Sequence, residues 1–491
     1  MKVNSQIKWA LLLVICLGVF GKLQAQTSFS EKLADSYSEY KERSIDQRRF
    51  TREDLQPLIE EYQQKAQFQV KKLGESIEGR ELDLISVGHG PTQVLLWSQM
   101  HGDESTATMA IFDILNFFES SDFKTEKQMM LDNLSIHFIP MLNPDGAEVF
   151  KRRNALGVDI NRDAVRLQSP ESRILKRVRD SLDADFGFNL HDQSRYYNAQ
   201  RTSKPATISF LAPAYNYEKE VNESRGAAMK LIAHMNNVLQ QFAPGQVGRY
   251  NDDFEPRAFG DNIQKWGTST VLIESGGYPG DREKQEIRKL NFIPILSALH
   301  SIASESYQSE SLAGYEQIPE NDRMLFDLKL KGVHYELNGK DYILDQGIDL
   351  NEIDKKEGQD FYYYGRVEDQ GDLSTSYGYQ NLDAWEYKIV PGKIYSETFA
   401  DTSEVQDLDF SELLKNGYAY LKLKQLPEKS YTALPLNLVS EDFQVPQKLH
   451  PGIGANFFLE KDGKPEYAVI NGFLVELKKG SEEIKNAMIF R

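Results

Sequence analysis

A histidine and a glutamate three residues apart offer the first chemistry in this chain. His101-Gly102-Asp103-Glu104 follows a short apolar run, Val94-Leu95-Leu96-Trp97. One imidazole with one carboxylate suits zinc, and a catalytic zinc site needs a third protein ligand and an open position. The spacing alone recurs in many surface loops, so the third ligand matters. The chain has eight histidines: His89, His101, His137, His191, His234, His300, His334 and His450. His137 lies inside an apolar strand pattern and reads as a core residue. His191 ends the run Phe186-Gly187-Phe188-Asn189-Leu190 and enters the polar Asp192-Gln193-Ser194. Ligands of α/β sheets gather outside strand carboxyl ends, which favours His191. Glu274 stands between Val271-Leu272-Ile273 and Ser275-Gly276-Gly277. A carboxylate at the end of a buried strand is costly unless it is paired or functional. Beside a metal-activated water it can act as a general base. Between these places lie Asn143-Pro144-Asp145-Gly146 and the stretch from Arg152 through Asn161 and Arg162 to Asp163. Its arginines suit capture of a carboxylate or of an oxyanion, or form a solvated basic loop.

The elements that must position these residues are readable from periodicity. Leu82, Leu84 and Ser86 alternate with Glu81, Asp83 and Ile85 before Gly88-His89-Gly90-Pro91, which predicts a strand and a turn. Val94–Trp97, Ile136–Ile139, Phe186–Leu190 and Val271–Ile273 are short apolar runs expected of strands buried on both faces. Ile111, Ile114, Leu115 and Phe118 fall on one helical face. Ser169-Pro170-Glu171 carries a helix-start signal. Residues 218–242 and 281–302 are expected to be helical, and 30–75 polar and helix-prone. Buried strands alternating with helices predict an α/β unit with a mixed central sheet flanked by helices. Residues 306–323 read as a polar linker. From 324 to 491 short alternating strands and turn pairs such as Asn338-Gly339 and Asp462-Gly463 predict a β-rich region.

Composition sets outer limits. The 491 residues are 27% charged and 40% hydrophobic, which fits a folded chain of two or three domains. The net charge of −17 offers no footprint for a nucleic-acid backbone, so nucleic-acid binding is excluded as a reading. Much of the acidity lies in residues 309–491, which hold 20 basic and 33 acidic residues. The 14 tyrosines of that region read as strand packing rather than as a carbohydrate-binding set. Lys2 and Lys8, the apolar run Trp9–Phe20 and the small Ala25 form a signal-peptide pattern over residues 1–25. The run is too short to span a bilayer comfortably. The expected location is therefore exported, periplasmic or extracellular. Cys16, the single cysteine, falls in that segment and excludes an intrachain disulfide framework.

Taken in order, Gly74-Glu75-Ser76-Ile77-Glu78-Gly79-Arg80, His101–Glu104, Asn143–Gly146, Arg152–Arg162, His191 and Glu274 resemble the zinc carboxypeptidase family, the carboxypeptidase A-like metallopeptidases. The resemblance covers about residues 50–300. It implies a carboxypeptidase-like α/β domain over 26–305. It implies one zinc ion held by His101, Glu104 and His191, and a water activated by that ion. Glu274 would be the general base and later proton donor, and Arg152, nine residues before Asn161, would polarise the scissile carbonyl. Asn161 and Arg162 would grip the terminal carboxylate of a peptide substrate, and Asp159 would orient His101.

Two departures stand out. Asp163 replaces an asparagine common in the family, and its charge could weaken carboxylate capture. The family's mobile tyrosine falls by spacing on Asp252, with Tyr250 close by as a substrate-binding candidate. The position that sets side-chain preference falls near Gly260. Two other readings keep some of these features. One is a zinc amidohydrolase acting on small N-acyl amino acids or cell-wall peptides, and the other is a non-catalytic binding protein.

Overall fold

The structure, a computed structural model, describes residues 29–355, 358–480 and 483–491. Residues 1–25, expected as a signal peptide, and Cys16 lie outside the described residues. The chain forms two compact units. The first ends at Asp322, and the second consists of Arg201–Ser203 and Arg323–Arg491.

The first unit is a mixed sheet of eight strands between helices. Its elements run α1 (29–40), α2 (Arg52–Gln63), β1 (Phe68–Glu75), β2 (Glu81–Gly88), β3 (Thr92–Ser98), α3 (Thr106–Glu119), α4 (Lys124–Asn133), β4 (Leu134–Ile139) and α5 (Pro144–Glu148). They continue with α6 (Pro170–Leu182), β5 (Phe186–Asp192), β6 (Tyr197–Ala199), β7 (Ile208–Leu211), α7 (Glu223–Leu239), β8 (Val247–Arg249), α8 (Phe259–Lys265), β9 (Ser269–Ser275), α9 (Gln285–Ala303) and α10 (Leu312–Glu316). The sheet order is β1-β2-β4-β3-β5-β9-β7-β8. Strands β4, β3, β5 and β9 are parallel neighbours, whereas β1, β2 and β7 join antiparallel. The apolar runs read as buried strands are β3, β4, β5 and β9. They are buried because α3 and α9 cover one face with the fully buried Ile111, Phe112, Leu115, Ile293 and Leu296, while α6 and α8 bring Ile174, Leu175, Phe259 and Ile263 to Leu95 and Trp97 on the other.

The chain leaves β3 toward β4 on one side and then returns to place β5 on the other. Such a switch in strand order opens a crevice at the carboxyl ends, where open α/β sheets hold ligands. His101 lies just beyond the end of β3 and His191 near the end of β5, so the crevice lies between them.

Two expectations differ from what forms. Residues 68–75, read as helix-prone, make strand β1 at the sheet edge. Its alternation is masked by Lys71, Lys72 and Glu75, the charges that edge strands carry. The stretch 306–323 is folded rather than a linker. Ser311 caps α10, and Tyr315 is buried with its hydroxyl accepting the Ala212 N–H at 3.2 Å.

The second unit is β-rich, with one eight-stranded and one five-stranded sheet. Its longest hairpin joins Leu325–Leu337 to Lys340–Asp354 through Asn338-Gly339. Asp462-Gly463 and Asn471-Gly472 make two more such turns. In each pair both residues have positive φ, the conformation that twist-matched two-residue hairpins demand. Leu421, Leu438, Phe458 and Ile470 lie in one core of this unit, and Leu330, Ile348, Val367 and Phe457 in another.

Candidate metal centre

His101, Glu104 and His191 converge, with their ligand atoms all within 4.8 Å of one another. The Nδ1 of His101 is 2.8 Å from Glu104 Oε1, and the Nδ1 of His191 is 2.6 Å from Glu104 Oε2. Both imidazoles are buried, and their rings lie 4.8 Å apart. The local chain is built for this approach. Gly102 rests on the backbone of α5, where a Cβ would fall 2.0 Å from the Gly146 carbonyl carbon. Gln99 holds a left-handed φ of 48°, and its side-chain amide donates to the Gly102 carbonyl at 3.0 Å. Such a conformation in a non-glycine residue persists only where its surroundings hold it.

The electrostatics follow from burial and neighbours. Burial disfavours the His101 cation, but the Glu104 and Asp159 carboxylates outweigh it and raise His101 to about 9. Burial likewise opposes ionisation of Glu104, yet His101 and His191 hold its carboxyl well below the usual range. For His191 burial prevails and its pKa falls. A carboxylate between two imidazoles, of which His101 would otherwise hold a proton, is a donor set suited to a divalent cation, which displaces that proton. His101 Nε2 donates to Asp159 Oδ1 at 3.2 Å, the kind of support that fixes a ligating ring. These residues therefore fit zinc.

The remaining residues singled out from the sequence surround this centre. Arg152 Nη1 is 3.3 Å from Glu104 Oε1 and 3.1 Å from His101 Nδ1, while its Nε donates to Asp159 Oδ2 at 3.1 Å. Asp159 thus holds both His101 and Arg152. Its Oδ1 also accepts the Asn161 N–H at 3.0 Å. The Asn161 side chain accepts the Phe259 N–H at 2.9 Å, and its carbonyl accepts from Arg162 Nη1 at 2.7 Å. Arg162 Nε also lies 3.3 Å from Glu255 Oε2. The Arg152 carbonyl is held by the Asn143 side chain, which caps α5 as well. Asp145 anchors the turn after β1, accepting from Ser76 Oγ at 2.6 Å and Arg80 Nη1 at 2.8 Å.

Glu274 pairs in parallel register with His191 across β5 and β9. Burial, and then the Glu104 carboxylate, push Glu274 well above the ordinary range. Burial and then Glu274 raise the Tyr250 phenol too, and the Tyr250 ring lies 5.7 Å from that of Tyr197. Asp163 makes its side-chain contacts within its own loop. It is buried and accepts the N–H groups of Gln168 and Ser169 at 2.9 Å each, so its charge is spent on the loop before α6.

Residues 55–232 match the family model described as zinc carboxypeptidase. This stretch is similar to the zinc carboxypeptidase family. The match includes His101, Glu104, Arg152, Asn161, Arg162 and His191, whereas Tyr250 and Glu274 lie beyond it. Carboxypeptidase SOL1 of Arabidopsis thaliana is 26% identical over 200 residues, covering 34% of this chain and 40% of that one. Carboxypeptidase E of Caenorhabditis elegans is 31% identical over 119 residues, covering 20% and 25%. The chain thus spans less than half the length of these relatives. A metallo-carboxypeptidase structure from Burkholderia cenocepacia aligns at 18% identity and a TM-score of 0.42, over 52% of this chain and 70% of that one.

Two further residues near this centre escape sequence reasoning. Lys284 Nζ lies 2.9 Å from Asp192 Oδ2 and donates to the Ser275 carbonyl at 3.0 Å. Asp192 in turn gives its N–H to Glu104 Oε2 at 3.2 Å. Lys284 is 92 residues from Asp192, so only the fold joins them. Among the described residues, no helix is long and apolar enough to cross a membrane.

Proposed function

We propose that this chain is an exported zinc metallocarboxypeptidase that removes the C-terminal residue from peptides bearing a free carboxylate. The observation that carries the reading is Glu274 in register beside His191, one strand from the converged His101, Glu104 and His191. These three residues would hold one zinc ion. Zinc bound there supplies Lewis acidity and lowers the pKa of a coordinated water to about 7.

The chain's own groups account for the rest. Glu274 takes the proton of the attacking water and returns it to the leaving amine. Arg152, half-exposed and held by Asp159, directs its guanidinium toward the oxyanion that forms. Asn161 and Arg162 receive the terminal carboxylate, which makes cleavage exo. Tyr250 contributes to the substrate wall near Glu274. Export is supported by the pattern Lys2, Lys8, Trp9–Phe20 and Ala25.

The test is hydrolysis of matched peptides with free and amidated C-termini, read by mass spectrometry on zinc-loaded and chelator-stripped protein. Release of single residues from free-carboxylate peptides only, and only with metal, is expected. Glu274→Gln should retain zinc and lose about 10²–10⁴-fold in kcat. Equal cleavage of amidated peptides, or a fully active Glu274→Gln, would refute the reading.

A further inference from the structure

The second unit holds a cavity of about 800 Å³ that the peptidase reading does not use. It lies beside the hairpin Leu325–Leu337/Lys340–Asp354, where the pairing slips between Leu330 and Val333. Gly332, in that slip, has φ +69°, and its N–H donates to Asp345 Oδ1 at 2.8 Å. The indole of Trp385 lies on it. A Cβ at position 332 would fall 2.3–2.5 Å from three atoms of the ring. One indole face is therefore seated on bare backbone, yet Trp385 remains 52% exposed. Ile343, 54% exposed, lines the same cavity, so Trp385 is one of two large apolar side chains left open there, and apolar surface gathered at a cavity marks a binding surface.

The rest of the lining says what would bind. Lys331 and Asp383 stand at 3.8 Å on exposed side chains, loosely paired and open to a ligand. Asp372 is exposed at the same cavity. Lys329 is committed to the wall, donating to the Leu373 and Ser376 carbonyls at 2.6 and 2.8 Å. The arrangement is a rigid, flat aromatic face ringed by hydrogen-bonding groups at its edge. It matches a pyranose, which offers an apolar C–H face and a girdle of hydroxyls. Two lysines against three aspartates give the lining no positive excess, which disfavours an anionic polymer. The volume lies within the roughly 300–1,000 Å³ of ligand pockets and admits a short oligosaccharide.

We propose that this cavity binds a neutral oligosaccharide, with Trp385 as the stacking platform. The inference stands apart from the peptidase site. The test is calorimetric titration of the full chain with cellohexaose, hexa-N-acetylchitohexaose, a polygalacturonate hexamer and an unrelated hexapeptide, alongside tryptophan emission. Saturable binding of at least one neutral hexaose is expected, with a blue shift as the exposed indole is covered. Trp385→Ala should weaken it by at least about tenfold, and Trp385→Phe by less, with unfolding midpoints unchanged for this half-exposed side chain. Absence of saturable binding by either neutral sugar, or binding unchanged in Trp385→Ala, would overturn the proposal. So would binding confined to the anionic sugar or the peptide.

Discussion

Replacing Lys284 with methionine tests whether the proposed zinc ligands depend on a charge pair behind them. Lys284 and Asp192 are 12% and 9% exposed, so water screens them little. Removing one partner of a buried pair costs about 3–5 kcal/mol, because the other charge is left behind. Asp192 would keep only Thr106 Oγ1, at 2.6 Å, and its other oxygen already has no partner. The surviving hydroxyl places the expected loss near the lower end, about 3 kcal/mol. Lys284 already has a φ of 51°, so methionine adds no backbone strain. The Asp192 N–H reaches Glu104, so loosening Asp192 also loosens the shared ligand of the two histidines. Loss of such supporting contacts weakens metal affinity by roughly 10–100-fold. Urea unfolding of the metal-stripped protein and zinc competition against a chromophoric chelator measure the two effects separately. If stability moves by less than about 0.5 kcal/mol and affinity by less than about twofold, the pair does not support the centre and the argument fails.

Three further outcomes follow from named contacts. Glu255 already occupies Arg162 at 3.3 Å, in a partly exposed pair worth no more than about 1 kcal/mol, so Glu255→Gln should lower KM for free-carboxylate peptides by up to about fivefold with kcat unchanged; a raised KM would show that Glu255 does not compete with substrate. Asp163→Asn keeps one acceptor for the Gln168 and Ser169 amides, and should cost about 1–2 kcal/mol in chemical denaturation while leaving kcat/KM within about twofold; a tenfold kinetic loss without destabilisation would place its charge in substrate capture after all. Burial, then Asp327 and Glu368, push Asp349 up to about 7, above the value near 4 of an unfolded chain. The native state therefore holds the extra proton, and this contribution to stability is present below about pH 4 and lost as pH rises through about 7. Asp349→Asn should flatten that decline in thermal melts of the second unit between pH 5 and 8, and an unchanged slope would show that Asp349 does not titrate there.

What the sequence disclosed and what it hid divide along a physical line. His101 with Glu104, and Asn161 with Arg162, are legible because each pair lies within one short loop and its spacing is visible. His191 and Glu274 are legible because each lies at the end of an apolar run of the right length for a buried strand. The hairpins at Asn338-Gly339 and Asp462-Gly463 are legible because positive φ at both positions restricts the residues that serve there. Strand β1 is hidden because an edge strand carries charges on the side that would otherwise alternate. Lys284, Glu255 and Trp385 are hidden for another reason. Each acquires its meaning from a partner distant in sequence or from a cavity wall, and local composition carries no trace of either. Tyr315 misleads in the same way, as one buried ring in a stretch otherwise polar enough to pass for a linker.

The register of β5 against β9 works as a reading frame for the proposed catalytic centre. Side chains alternate faces along a strand, so Glu274 stands beside His191 only while the two strands keep their count. Deleting one residue upstream in β9 would preserve every functional side chain and much of the apolar pattern, yet deliver serine where the carboxylate belongs. Insertions and deletions that keep this pairing must therefore fall outside β5 and β9. A homologue that has lost the centre could keep all of its conserved letters and differ only by a gap.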